Sequence, residues 1–184
     1  MPDAVTHLCS GLLAHIPWVP AAARRWAPVF VAGAVLPDIL SRAPSTALSV
    51  VHSHWVPLPS LLLYCWGPLH LPSGILLYSL ALTMLFPAVQ RRTALVALLA
   101  GATLHVLLDL TQRHVGLGYP LLVPFSSRDF EWGLVGSEAS VPWAPWFALV
   151  TLAVWGWLRW KKQPSTPGTP PEGEKDAHRP EAEG

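Results

Sequence analysis

Gly101–Gln112 reads GATLHVLLDLTQ, an apolar helical stretch that carries one base and one acid, His105 and Asp109, four residues apart. A spacing of four places both side chains on one face of an α-helix, where they can reach a common ligand. The surroundings are almost free of charge: Thr93 to Leu108 holds no Lys, Arg, Asp or Glu. An ionisable pair at such a position is costly, and within a membrane segment it marks function or a specific partner.

The rest of the chain reads the same way. Apolar residues make up 52% of the 184 positions and charged residues 12%, about half the charged share of a soluble domain. From Ala43 to Gln90, a run of 48 residues, there is no Lys, Arg, Asp or Glu. Trp26–Pro37 and Val141–Leu158 are further uncharged windows. A helix of about 20 apolar residues crosses a bilayer core, so the composition predicts an all-α, polytopic membrane helical bundle. Five hydrophobic helices are expected, near residues 5–22, 26–40, 70–88, 93–112 and 142–160. Between the second and third, HWVPLPSLLLYCWGPLH is apolar but broken by Pro57, Pro59 and Pro68. It reads as an interfacial or re-entrant segment, with Trp55 and Trp66 at headgroup depth. Residues 111–140 read as a long loop. Residues 1–162 form the membrane-embedded domain, and the Pro-, Glu- and Gly-rich residues 163–184 form a disordered tail.

Arg24, Arg25, Arg91, Arg92, Arg159, Lys161 and Lys162 fall on one side of a five-helix protein; Arg42, Arg113 and Arg128 fall on the other. The bias predicts a cytoplasmic C-terminus and an outward N-terminus in a cell (bacterial inner) membrane. The N-terminus has no basic stretch like that of a cleavable leader. The net charge of +1 comes with no basic stripe, which argues against nucleic acid and leaves the lipid bilayer as the expected partner. Cys9 and Cys65 lie far apart in apolar context and read as buried free thiols.

Under that topology His7, Asp38, His52, His54, His105 and Asp109 all come to the outer end of the bundle. His105 and Asp109 offer one nitrogen and one carboxylate, a donor set that suits a divalent metal, zinc above all. Asp38 follows Pro37 at an expected helix end, His52 and His54 lie in the expected outer connection, and His7 opens the first helix. The set is enough for one ion, or for two bridged by a carboxylate. His15, His70 and His114 are placed outside it.

Taken in order, THLCSGLLAH, GAVLPDIL, HSH, GATLHVLLDLTQ and GLGYPLLVPFSSRDF resemble the YdjM/YbcI-type membrane-bound metal-dependent hydrolases. The likeness covers about residues 5 to 130. Where that family carries a further His before its His-Ser, this chain has STALSV, and His54 is the substitute on offer. The motif order is also similar to that of zinc-dependent phospholipase C and S1/P1 nuclease. The resemblance implies a hydrolase whose metal-activated water attacks an ester or phosphoester, including those of lipids. His7, Asp38, His52, His54, His105 and Asp109 are then the metal set, and the carboxylates Asp38 and Asp109 are catalytic, with Asp38 preferred as the proton acceptor. The alternative from the same residues is a non-enzymatic metal-binding or transport protein.

Overall fold

The computed structural model describes residues 4–15, 21–113, 118–136, 139 and 141–161. Among these, the chain is all-helical: α1 (Ala4–His15), α2 (Ala27–His54), α3 (Ser60–Tyr64), α4 (Pro72–Thr83), α5 (Arg91–Thr111) and α6 (Ala144–Trp160), with short 3-10 turns between them. The tail from Gln163 lies outside the described residues.

The all-α expectation holds, but the five expected spans do not. Among the described residues, two helices are long and apolar enough to cross a membrane, Ala88–Thr111 and Val141–Leu158. A third crossing exists only if Ser60–His70 and Pro72–Thr83, which meet at 81°, are one broken span. The bend falls at Leu71, where the backbone turns extended between Pro68 and Pro72. Hydropathy windows count apolar side chains, and they cannot register such a corner.

The largest local departure is α2. The expected helix at 26–40 continues to His54, through Pro37 and Pro44, for 28 residues. Proline removes an intrahelical donor, here the ones that Gly33 O and Leu40 O would have met. Side chains brace the helix around both prolines. His105 Nδ1 lies 2.8 Å from the Ala34 carbonyl, and Ser41 Oγ donates to the Pro37 carbonyl at 2.6 Å. Ser45 Oγ donates to Ser41 O at 2.9 Å. The first part of the expected outer connection, residues 41–54, is therefore helix, nearly four further turns of α2.

α2 and α5 pack backbone to backbone. A Cβ on Gly101 would stand 1.9 Å from Phe30 O, and one on Gly33 would stand 2.2 Å from Leu98 O. Small residues at a helix contact permit this approach, as is common between membrane helices. α1 closes over the pair, with Gly11 against Ala34, and α4 seals the opposite side through Ile75 and Tyr78 on Ala102. α6 packs on α1 and leaves most of its surface outward, including Trp146, Leu149, Leu152 and Trp157. Of the two thiols, Cys9 is buried as expected, but Cys65 is exposed.

Candidate metal centre

Where α1, α2, α5 and the turn before α4 meet, five ionisable side chains are buried together. His7, His105 and Asp109 are fully enclosed, and Asp38 and His70 nearly so. His105 and Asp109 face the same way from α5, with Nε2 3.4 Å from Asp109 Oδ2. α1 lays the His7 ring on that of His105, with centroids 3.8 Å apart. This brings His7 Nε2 within 3.3 Å of Asp109 Oδ1 and 3.7 Å of Asp38 Oδ2. The Pro68–Pro72 corner turns His70 inward, 2.7 Å from Asp109 Oδ2 and 3.5 Å from His105 Nε2. The two overlapping groups His7–His105–Asp109 and Asp38–His70–His105 each bring three donor atoms close enough to share a metal ion.

The hydrogen bonds decide which nitrogens face the centre. Because a carbonyl can only accept, His105 carries its proton on Nδ1, towards Ala34 O, and presents a lone pair at Nε2. Ser41 gives its only proton to Pro37 O, so its 3.2 Å contact with His70 Nδ1 is donated by the ring. His70 Nε2 is then free to present a lone pair as well. Side chains fixed by backbone and hydroxyl partners on their far nitrogens are the usual setting of metal-binding imidazoles. At the centre, acceptors face acceptors. A second proton on His70 would satisfy its contact with Asp109 alone. It would leave both His7 nitrogens and Asp109 Oδ1 buried without hydrogen-bond partners, each a desolvation cost of about 1–3 kcal/mol or more. A cation at the centre would answer Asp109 Oδ1 and the inward nitrogen of His7. The group fits a metal ion.

Two further groups support the centre. Tyr119, from the loop after α5, is buried and donates its hydroxyl to the His70 carbonyl. Burial, then the nearby charge of Asp109, pushes its phenol well above the usual range and keeps it a donor. Arg42, one turn beyond Asp38 on α2, sets Nε 3.0 Å from Asp38 Oδ1. The loop itself is tied to the end of α5: Trp132 and Leu134 donate to Leu110 O and Thr111 O at 2.7 and 2.8 Å.

Of the six residues expected from sequence, the structure gathers His7, Asp38, His105 and Asp109. It does not gather His52 and His54. Both are exposed at the far end of α2. His52 lies 14 residues beyond Asp38, about 21 Å along a helix rising 1.5 Å per residue. Their ring nitrogens are engaged locally, His52 Nδ1 accepting from Leu58 N at 2.8 Å and His54 Nδ1 meeting Ser53 Oγ at 2.6 Å. The residue missed is His70. Its one legible signal was the GPLHLP frame, a His held between two prolines in an uncharged run. Neither family models, nor curated proteins, nor solved structures give a match to this chain.

Proposed function

We propose that the protein is a membrane-bound, divalent-metal hydrolase acting on an ester or phosphoester, and that its metal is zinc. The observation that carries this is the buried set of three imidazoles and two carboxylates, in which His70 and His105 turn their lone-pair nitrogens towards Asp109. The spacing supports the choice of metal. Tetrahedral bonds of about 2.0–2.1 Å put neighbouring donor atoms about 3.3–3.4 Å apart. Among the ligands, His7–Asp109, His105–Asp109 and His70–His105 stand 3.3, 3.4 and 3.5 Å apart, and His70–Asp109 is closer at 2.7 Å.

In this reading His7, His70, His105 and Asp109 hold the ion. When bound, such an ion brings the pKa of a coordinated water from about 15.7 to about 7 and polarises the scissile group. Asp38 supplies the remaining chemistry. It lies at the edge of the set, with one oxygen near Arg42, and receives the proton released by the water. His105 and His70 keep the acceptor face of each ring inward through Ala34 O and Ser41. The enclosed site excludes competing solvent. The two candidate spans support a membrane setting, and the charge bias of the loops supports a site at the outer leaflet.

The test is zinc content of purified full-length protein, with hydrolysis of a chromogenic phosphodiester and a chromogenic carboxylic ester. Wild type is expected to hold zinc and to cleave one of the two, and Asp109→Asn to lose both properties. Wild type without metal, and gaining none on titration, would end this reading. A second reading, metal binding or transport without hydrolysis, draws support from Tyr78 Oη and Ser79 Oγ, which are buried on α4 without hydrogen-bond partners. Zinc-dependent ion uptake into proteoliposomes by a protein that cleaves neither ester would favour it.

A further inference from the structure

We infer that Arg42 is the substrate's anion-binding residue, and that the group it receives is a phosphate; this rests on the metal reading above. Arg42 projects from α2 one turn beyond Asp38, at the boundary between the enclosed centre and the exterior, with its side chain 36% exposed. One edge of the guanidinium is committed, with Nε 3.0 Å from Asp38 Oδ1. The other is not. Nη2 is buried and has no hydrogen-bond acceptor. A buried guanidinium N–H without an acceptor is costly, and it is the most directional donor a protein has for phosphate oxygen.

Charge points the same way. Asp38 and Asp109 together balance one divalent cation, and the three imidazoles, as ligands, are neutral. The Arg42 charge is then left over, so the loaded centre is net positive and takes up an anion. A carboxylic ester brings none at its scissile group, whereas a phosphate monoester or diester does. Arg42 on a non-bridging oxygen would hold the phosphorus next to the centre, and its Nε contact would keep Asp38 from swinging away. The exposed Arg128 has no such role. Its guanidinium lies over the Phe130 ring, 5.8 Å from the centroid.

The experiment uses the full chain in detergent micelles, loaded with zinc, and reads binding rather than turnover. Inorganic phosphate is titrated in one arm, and phosphatidic acid mixed into the micelles in the other. Wild type should bind phosphate in at least one arm. The tighter arm shows whether the phosphate comes from a lipid headgroup or a soluble ester. Arg42→Gln should retain its zinc and weaken binding by about tenfold or more, the loss expected for one charge-assisted hydrogen bond. Arg128→Gln should bind like wild type. If Arg42→Gln loses zinc, Arg42→Lys carries the test, because it keeps the charge beside Asp38 but not the planar fork. It should keep zinc and still bind phosphate several-fold more weakly. Equal phosphate affinity in wild type and a zinc-retaining Arg42 variant would overturn the inference and leave the metal reading intact. Zinc lost from both variants would also overturn it, since Arg42 would then serve the metal rather than the substrate. A wild type that never holds zinc would remove both.

Discussion

His54 and His70 are close in sequence and both follow short apolar stretches, yet only His70 reaches the buried group. The difference is a corner. His54 ends a continuous helix, while His70 precedes an 81° change of direction that swings it under Asp109. Helical spacing revealed His105 and Asp109, and uncharged context revealed His7 and Asp38, because those signals are local. The inward turn of His70 depends on where α4 packs, so the residue stayed hidden. His70→Ala should therefore lose most of the bound zinc, and His54→Ala should retain it, both read by metal analysis of folded protein. Tyr119 invites a second test. Its phenol is shifted up from the ordinary value of 10.0, so above pH 10 the unfolded chain gives up a proton that the folded chain keeps. Stability should accordingly fall as pH rises past about 10. Tyr119→Phe should reduce that alkaline loss, and it should weaken zinc binding about tenfold at neutral pH through the missing bond to His70 O. Melting curves at pH 8 and 10.5 test the first effect; a Tyr119→Phe protein with the same alkaline loss as wild type would disprove it.

At the level of the helix, the decisive feature is the contact of α2 with α5. Every member of the buried His/Asp group on these two helices is placed by a crossing so close that Gly33 and Gly101 have no room for a methyl group. Gly101→Ala should cost about 1–3 kcal/mol through forced separation of the backbones. It should also reduce zinc content, since His105 moves away from Ala34 O. Gly67→Ala, where a Cβ would meet nothing within 4 Å, is the matched control. Thermal melts in one detergent compare them, and equal melting temperatures would show that the crossing tolerates a side chain. The extent of α2 was not legible for a related reason. Proline signals a helix end when only its own segment is considered. The contacts that brace α2 beside Pro37 include one from His105, 71 positions away.

For the whole molecule, helical class was plain from composition, but the number of crossings was not, because apolarity alone cannot separate a span from a short helix on a bend. The outward apolar side chains of α6 and α4, among them Leu77, Trp146 and Leu152, are suited to lipid contact. On the proposed orientation, which the loop charges support, a cytoplasm-dependent reporter fused after Lys162 should be active. An active periplasmic reporter there, with an inactive cytoplasmic one, would reverse the orientation and place the site on the inner leaflet.

His7 and Asp109 are neighbours in space and 102 positions apart in the chain. A ribosome adding about 5–20 residues per second needs about 5–20 s to cover that interval. For most of it, the first helix exists while its ring-stacking partner His105 and the Asp109 carboxylate have not been made. α1 consequently cannot take its final place until α5 has been made. The buried His/Asp group can close only then, so an ion that needed both ends of the set could be held only by a chain in which α1 and α5 have met.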